Sequence, residues 1–318
     1  MLESAALRVT VRPQVGGTIT GIRHKASGLS VLGSVPWRPV EEPLESGAAP
    51  DEPTWLTRYT GGWPLLFPNG GDACTVDGVF HGFHGEASIS PWDETHDGGA
   101  ITLDRHMTTV PVRMRRTITV DGDIVRVTEV ACNEGSEPVA VMWGHHPTFG
   151  SDLLDGEVEI TTGARTLTVD ASYDPPANSL RPGAAGRWPM VPGKNGNVDL
   201  RRPMRAAGKG RMASLVYLED FQSAWIGLRR LDDAIAVILS WDVAVFPTAW
   251  LWLELAGTRD APWNGQARLI GLEPNTTPLA YGLAEARRRG MPLLTLEPAT
   301  PVQAEVQLGV LGSAGEKP

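Results

Sequence analysis

Apolar and polar residues alternate along most of this chain, which is the pattern of β-strands that bury one face. Residues 303–310 show it clearly, because every second residue from Ala304 to Val310 is apolar. Asp121-Gly122 separates two alternating segments and predicts a hairpin turn. The pattern, together with many β-branched residues, predicts further strands at 101–110, 112–120, 123–131, 157–161, 234–241, 249–255 and 266–273.

The clearest helix signal lies at residues 279–290. Leu279, Leu283 and Ala286 can share one face there, three arginines follow, and Gly290 is suited to end a helix. We expect one or two helical turns in this segment and little helix elsewhere.

Two stretches rich in proline, glycine and charged residues, 33–55 and 173–197, predict long loops. Trp37, Trp55 and Trp188 suggest that parts of both loops are held against the body of the protein. Long ordered loops on a β scaffold commonly shape a binding site, so we expect these two to do so.

The chain has 318 residues, of which 42% are hydrophobic, and neither an internal repeat nor a domain boundary is visible. We therefore predict an all-β fold with one domain over residues 1–318, a large antiparallel β-sandwich. The net charge of −9 supplies no basic surface for nucleic acid. The apolar runs are too short to span a bilayer and the N-terminal sequence lacks a secretory signal, so we predict a cytoplasmic protein with no membrane partner.

The polar residues of most interest fall into three groups. His81 and His84 lie in the segment 61–92, and His145 and His146 are adjacent in the sequence VMWGHHPTFG. A strand would point one member of an adjacent pair inward and the other outward, so one of these two is expected to face solvent. The third group is Glu273, at the end of an apolar strand, where a solvated carboxylate is the default expectation.

Several chemistries are disfavoured by the motifs. The histidine spacings match neither HExxH nor a Cys/His finger, so no metal site is predicted, and Cys74 and Cys132 are too few for a disulfide framework. No GxSxG elbow is present, and GGWPLLFPNGG is neither a phosphate-binding loop nor a dinucleotide fingerprint. Among the 11 tryptophans, Trp252 and Trp263 are candidates for a platform that packs on the C–H face of a sugar ring.

Four ordered segments resemble those of the aldose 1-epimerase (galactose mutarotase-like) superfamily. They are GGWPLLFPNGG, HGFHGEASISPW, HHPTFG and IGLEP, which together span roughly residues 60 to 278. The resemblance implies a β-supersandwich fold and an enzyme that interconverts the α and β anomers of an aldose without a cofactor. The expected partner is a small-molecule sugar, whereas neither the identity of the sugar nor an oligomeric state is predicted.

The resemblance also implies roles for individual residues. Glu273 would be the general base and His146 the general acid, and either His84, which the spacing to the strand tryptophan favours, or His81 would be the remaining family histidine. Asn69, Trp252 and Trp263 would contact the sugar.

Two positions depart from the family pattern. The sugar phosphate branch has an arginine before its GG-x-P, where this chain has Thr60, and Arg58 is the nearest substitute. The family also uses an aspartate roughly sixty residues before the catalytic glutamate, for which Asp220 and Asp174 are the candidates. Two alternatives therefore remain beside mutarotation, namely a sugar-binding protein without catalysis and a hexose-phosphate 1-epimerase. A lyase or glycosidase is disfavoured, because no paired carboxylates occur at a recognisable spacing.

Overall fold

The computed structural model describes residues 1–40, 42, 50–207, 210–232 and 234–312, and strands dominate it. The strands are β1 (Leu2–Glu3), β2 (Leu7–Arg12), β3 (Thr18–His24), β4 (Leu65–Leu66), β5 (Cys74–Val76), β6 (Val79–His81), β7 (Asp93–Asp97), β8 (Ala100–His106), β9 (Val112–Asp121), β10 (Ile124–Asn133), β11 (Val139–Val141), β12 (Gly144–His145), β13 (Thr148–Phe149), β14 (Val158–Val169), β15 (Ala185–Arg187), β16 (Met190–Gly193), β17 (Gly196–Asp199), β18 (Met212–Arg230), β19 (Ile235–Trp241), β20 (Thr248–Leu255), β21 (Arg268–Asn275), β22 (Leu294–Leu296) and β23 (Val302–Gly312). The helices are α1 (Glu52–Arg58), α2 (Pro203–Ala206) and α3 (Gly282–Arg288), with 3-10 turns at Glu86–Ser88 and Ser151–Leu154.

Sixteen of the described strands form one antiparallel sheet that branches at β18. This strand is 19 residues long, and its two ends have different partners on the same edge. Its N-terminal half pairs with β20, which continues to β21, and its C-terminal half pairs with β19, which continues to β23, β10, β9, β8 and β7. The branch produces two layers with apolar faces that meet, so the predicted all-β sandwich is confirmed.

The core lies between the two branches of the sheet. The alternating residues of β23, from Ala304 to Val310, are buried on the core face, and Leu251 of β20 and Leu272 of β21 join the same apolar cluster from the other branch. Full burial of such a side chain contributes roughly 1.5–3 kcal/mol. A second apolar cluster contains Trp250, Met142 and the buried face of α3.

A charged network is buried inside the core. Nε of Arg116 lies 3.1 Å from Oε1 of Glu129, and the other carboxylate oxygen lies 3.2 Å from Nε2 of His145 and accepts a 2.9 Å hydrogen bond from the Trp143 indole. The Trp63 indole donates to Nδ1 of His145 at 3.0 Å, which leaves the proton of a neutral imidazole on Nε2, facing Glu129. Every charged group of this network therefore has a partner of opposite charge or a hydrogen bond.

The expectation that one of the adjacent histidines faces solvent is wrong. The two side chains do alternate across the strand, but His145 is 1% exposed and His146 is 6% exposed. The His145 ring points inward and contacts Glu129. The His146 ring points outward and lines a cleft, whose walls cover it. Both faces of this strand are therefore covered.

Local predictions have mixed outcomes. Helix α3 lies inside the predicted segment and is followed by Gly290, at a φ of 64°, and the turn after Asp121 is confirmed by the pairing of Asp121 with Ile124. The predicted loop 173–197 is wrong in its second half, because β15, β16 and the first half of β17 lie there and extend the sheet edge. In the other predicted loop, residues 41 and 43–49 lie outside the described residues.

The tryptophans do hold the predicted loops against the body. In the first loop Trp55 is buried and the Trp37 indole donates to the carbonyl of Leu56, and in the second Trp188 is partly buried against the main apolar cluster. Strand β18 and helix α1 were not predicted. Among the described residues, no helix combines the length and apolar character needed to cross a bilayer.

Candidate active site

A cleft of about 610 Å³ opens beside β20 and β21. Three of the segments singled out in the sequence meet at its floor. The backbone N–H of His146 donates to the carbonyl of Pro64, and that of Leu272 donates to the carbonyl of Pro147. Five of the predicted site residues line this cleft: Glu273, His146, His84, Trp252 and Trp263.

Glu273 projects from β21 into the cleft and is 1% exposed. It pairs with Trp250 on β20, while Gly271 pairs with Trp252, so these four residues share the cleft face of the two strands. Burial raises the pKa of the Glu273 carboxyl well above its usual value. Among the described residues, Oε1 of this carboxyl has no hydrogen-bond partner, which is costly for a buried oxygen unless a ligand supplies one.

His146 lies between β12 and β13, next to Glu273. Its Nδ1 is 3.6 Å from Oε1 of Glu273 and 3.0 Å from Oγ1 of Thr148. The Thr148 hydroxyl is in turn 2.7 Å from the hydroxyl of Tyr59. These hydrogen bonds fix the imidazole ring through Nδ1 and leave Nε2 accessible to a ligand. Burial lowers the pKa of His146 to about 4.

His84 is held by a reciprocal pair of hydrogen bonds to Gly71. The His84 N–H donates to the carbonyl of Gly71 at 2.9 Å, and the Gly71 N–H donates to Nδ1 of His84 at 3.0 Å. The imidazole is therefore neutral with its proton on Nε2, and burial lowers its pKa well below the usual value, with the nearby His146 adding to the effect. His84 itself adopts a φ of 59°, which is unusual for a residue with a side chain.

A glycine is required at position 71. Its φ is 78°, and a Cβ there would lie 1.8 Å from the carbonyl oxygen of Ala280. Because the same residue holds the His84 ring, the close approach of these two backbone segments fixes the position of that histidine.

Aromatic rings form much of the remaining wall. The rings of Trp252 and Trp263 meet edge to face at 5.5 Å, and the Trp252 ring lies 5.6 Å from the ring of His146. Both indoles are half-buried, so part of each is free to contact a ligand. The predicted pair of tryptophans therefore stands beside the buried His146–Glu273 pair.

Asn69 and His81, two of the predicted site residues, do not line the cleft. Asn69 is fully buried, and its amide donates to the carbonyls of Asp72 and Gly82 and accepts from the N–H of Leu283. His81 is buried on β6, outside the cleft lining. Of the two family-histidine candidates, only His84 therefore reaches the cleft.

Arg58 also lies elsewhere. Its guanidinium donates to the backbone carbonyl of Glu42, and the residue borders a separate small cavity together with Thr60. Neither Thr60, which stands where the sugar phosphate branch has an arginine, nor Arg58, its nearest substitute, brings a positive charge into the main cleft.

Asp170 is a cleft residue that the sequence did not indicate. It follows β14, is fully buried, and accepts hydrogen bonds from the backbone N–H groups of Ser172 and Tyr173 and from the hydroxyls of Tyr217 and Tyr281. These four hydrogen bonds hold the carboxylate and both tyrosines in place. No local pattern marks this residue, because its tyrosine partners come from distant segments.

The two aspartates that the sequence did indicate are placed differently. Asp174 borders the cleft and forms an ion pair with Lys194 at 2.6 Å. Asp220 lies outside the cleft lining, exposed on β18 with a φ of 54°. Among the described residues, no group of three or more histidine, cysteine, aspartate or glutamate side chains is arranged to hold a metal ion.

No protein-family model matches this sequence, and no curated protein matches it. Solved structures do match, over nearly the whole chain. The Slr1438 protein from Synechocystis sp. PCC 6803 is 18% identical with a TM-score of 0.68, and the alignment covers 98% of this chain and 95% of that one. A galactose mutarotase-like protein from Lactobacillus casei ATCC 334 is 18% identical with a TM-score of 0.63, covering 98% and 99% of the two chains.

A galactose mutarotase related enzyme from Lactobacillus acidophilus is 14% identical with a TM-score of 0.65, covering 100% of this chain and 98% of that one. Identities this low establish architecture and leave chemistry to the site itself. The branched antiparallel sheet and the full-length structural matches together show that this chain has the galactose mutarotase-like fold.

Proposed function

We propose that this protein is an aldose 1-epimerase, which interconverts the α and β anomers of an aldose. One observation carries the proposal: the Glu273 carboxyl and the His146 imidazole lie 3.6 Å apart on the floor of one cleft, and the carboxyl oxygen that faces the ring has no other partner among the described residues. In a cyclic hemiacetal the anomeric hydroxyl and the ring oxygen are bonded to the same carbon. The base and the acid that act on these two oxygens must therefore lie close together.

The reaction requires ring opening and closure. A base takes the proton of the anomeric hydroxyl while an acid protonates the ring oxygen, which gives the open-chain aldehyde. Rotation about C1–C2 then turns the other face of the carbonyl toward the ring-forming hydroxyl. Closure reverses both proton transfers, so each residue ends in its starting state. No electrons are gained or lost, and the sequence-based prediction that no cofactor is needed follows from this balance.

One proton shared by the pair is sufficient for this cycle. Burial favours the neutral form of each group, since it raises the pKa of Glu273 and lowers that of His146 to about 4. In the proposed pair the shared proton therefore starts on the carboxyl, beside a neutral imidazole. Transfer of that proton to His146 gives the carboxylate base and imidazolium acid that the sequence analysis assigned, with no change in net charge.

The test is a measurement of anomer exchange in freshly dissolved sugar by NMR or polarimetry. Glu273→Gln and His146→Asn are each expected to lower the catalysed rate by about 10² to 10⁴-fold, the usual contribution of one acid or base. A matched control is the exposed pair on β7, where His96 and Glu94 are 3.5 Å apart. His96→Asn and Glu94→Gln should leave the rate unchanged.

Two results would contradict the proposal. A folded Glu273→Gln variant as fast as the wild type would remove the carboxyl from the mechanism. Saturable binding of aldoses by the wild-type protein, with exchange no faster than in buffer, would establish the alternative of a sugar-binding protein without catalysis.

A further inference from the structure

Asp170 is the centre of a buried hydrogen-bonded cluster in the cleft wall that the proposed mechanism leaves without a role. Its Oδ1 accepts from the backbone N–H groups of Ser172 and Tyr173 at 2.8 Å and 2.6 Å. The Tyr281 hydroxyl donates to the same oxygen at 2.6 Å, and the Tyr217 hydroxyl donates to Oδ2. With contacts on both oxygens, the carboxylate is a fixed point in the wall.

Tyr217 connects this carboxylate to a second segment of the wall. Its buried hydroxyl donates to Asp170 and accepts a 3.0 Å hydrogen bond from the backbone N–H of Ala280, which precedes α3. A phenol has one proton, so the bond to the carboxylate sets the orientation of the hydroxyl and turns an acceptor lone pair toward Ala280.

Tyr281 binds the same carboxylate but makes no such connection through its hydroxyl. That hydroxyl accepts from the backbone N–H groups of Ala171 and Ser172, which directly follow Asp170 in the chain. Its hydrogen bonds therefore stay within one turn of the chain. The two tyrosines form a matched pair, in which one hydroxyl reaches Ala280 and the other does not.

Ala280 lies directly against the backbone that holds the His84 ring. Its carbonyl accepts from the N–H of Asp72 at 3.2 Å, and a Cβ added at Gly71 would lie only 1.8 Å from that carbonyl oxygen. The Gly71 N–H in turn donates to Nδ1 of His84 at 3.0 Å. Because the two backbone segments are in close contact, a shift of Ala280 must also move the donor that fixes the His84 ring.

The tautomer of His84 depends on this donor. The hydrogen bond from Gly71 to Nδ1 keeps the proton of the neutral imidazole on Nε2, which has no hydrogen-bond partner within the described residues. The ring lines the cleft and lies 5.4 Å from the ring of His146. Without the Gly71 contact, the proton could occupy either nitrogen.

We propose that Asp170 and Tyr217 are positioning residues for anomer exchange, acting through the backbone of Ala280. By fixing Ala280 they fix the Gly71 N–H, so that His84 keeps its proton on Nε2 and uses it in a hydrogen bond to an oxygen of the bound sugar. This inference rests on the proposed function and extends it to side chains that act through the backbone.

The position of α3 has further support that does not involve Tyr217. The N–H of Gly282 donates to the carbonyl of Gly70 at 3.1 Å, and the N–H of Leu283 donates to Oδ1 of Asn69 at 2.7 Å. Loss of the Tyr217 hydroxyl should therefore displace Ala280 locally and leave the helix in place.

The nitrogen chemical shifts of the His84 imidazole, measured by NMR, test the structural part of the proposal. His84→Asn identifies the signals by their absence, and asparagine tolerates the φ of 59° at this position. Tyr217→Phe should bring the two nitrogen shifts closer together, because the tautomers mix. The matched control Tyr281→Phe should leave both shifts at their wild-type values. If Tyr217→Phe does not fold, Asp170→Asn should change the shifts in the same direction.

Anomer exchange tests the catalytic part. Tyr217→Phe should lower kcat/KM by about tenfold, the value of one hydrogen bond, whereas the exposed control Glu94→Gln should keep the wild-type value. In the His84→Asn background the same Tyr217 substitution should cause no further loss, because the residue through which it acts is absent. A defect of packing alone would lower the rate by the same factor in both backgrounds.

The two measurements separate this inference from the proposed function. If the wild type does not accelerate exchange, but Tyr217→Phe still mixes the His84 tautomers, the epimerase proposal fails and the control of His84 by Tyr217 stands. The positioning proposal is overturned, and the catalytic one stands, if Tyr217→Phe leaves the His84 shifts unchanged or if Tyr281→Phe changes them equally. Rate losses of Tyr217→Phe and His84→Asn that multiply in the double variant would overturn it as well.

Discussion

Gly271 and Glu273 lie two residues apart on the cleft face of β21, and the glycine leaves the space that the carboxyl occupies. A Cβ at position 271 would lie 2.2 Å from Oε1 of Glu273, well inside van der Waals contact. The position of the proposed catalytic carboxyl therefore depends on the absence of a side chain two residues earlier.

Gly271→Ala should lower activity without unfolding the protein. The added methyl group must displace the Glu273 carboxyl, and a shift of about 1 Å in a reacting group can cost about 10²-fold in rate. Anomer exchange by NMR gives the rate, and far-UV circular dichroism checks the fold. The control is Gly309→Ala on β23, where the new Cβ would make an ordinary 3.9 Å contact. Equal rates for the two variants would show that the space at Gly271 is not needed.

The pH range of the activity should be set by the shifted pKa values of the Glu273–His146 pair. Catalysis needs one proton on the Glu273–His146 pair. As the pH falls through the His146 pKa of about 4, the pair takes a second proton and loses its base. As the pH rises through the elevated pKa of Glu273, the pair loses its last proton and its acid.

The active range therefore begins near pH 4 and ends at the raised pKa of Glu273. The measurement is kcat/KM against pH after subtraction of the rate in buffer alone, with intrinsic fluorescence recorded at each pH to confirm that the protein stays folded. A basic limb near pH 4.5, the ordinary value for glutamate, would contradict the burial of Glu273.

Thr148 should act as a positioning residue through the His146 ring. Thr148→Val keeps the shape of the side chain but removes the hydroxyl that contacts both Nδ1 of His146 and the hydroxyl of Tyr59. We expect kcat to fall by about tenfold, the value of one hydrogen bond to a charged group, with little change in KM. Thr148→Ser keeps the hydroxyl and should restore most of the rate.

The pH profile of Thr148→Val distinguishes positioning from a packing defect. Imidazolium needs an acceptor for its Nδ1 proton, so loss of the hydroxyl should lower the pKa of His146 and move the acidic limb of the profile to lower pH. A lower kcat with an unmoved acidic limb would assign Thr148 a packing role only.

Removal of the Glu129 carboxylate should destabilise the fold strongly. Glu129→Ala leaves the fully buried Arg116 guanidinium without its counter-ion, and breaking such a pair costs about 3–5 kcal/mol. Urea unfolding followed by tryptophan fluorescence gives the free energy of unfolding, and Glu129→Gln serves if the alanine variant does not fold. The control is Glu305→Ala, which breaks the partly exposed pair with Arg126 and should cost about 1 kcal/mol or less. Similar losses for both would contradict the importance of burial.

The sequence predicted the strands well where one face alone is buried. β9, β10, β19 and β23 lie within one or two residues of the predicted ranges, because each alternates between core and surface. The sequence did not predict the strands and the helix whose residue composition is typical of loops. The strands β15 to β17 are short, glycine-rich and at the sheet edge, and α1 lies in a proline-rich stretch. A signal for α1 was present, since Asp51 accepts from the N–H of Thr54 as an N-cap.

At the site, the sequence indicated the residues that lie in segments resembling those of a known superfamily. It missed the residues whose environment is created by contacts with distant parts of the chain. Glu273, His146 and His84 were indicated in this way and lie together. Asp170 was missed because its environment comes from Tyr217 and Tyr281, which are 47 and 111 residues away. The burial of His145 depends in the same way on Arg116 and Glu129, whose partnership no local pattern reveals.

One peptide bond joins His145, which completes the charged network of the interior, to His146, which lies at the floor of the cleft. The two neighbouring positions are thus under separate constraints, one from the folded core and one from the proposed proton transfer. A screen that scores only turnover is expected to report a loss at both histidines without separating the two causes. Evolutionary variation at this dipeptide should instead divide, with changes at the first position accompanied by changes at residues 116 and 129, and changes at the second accompanied by changes at residue 273.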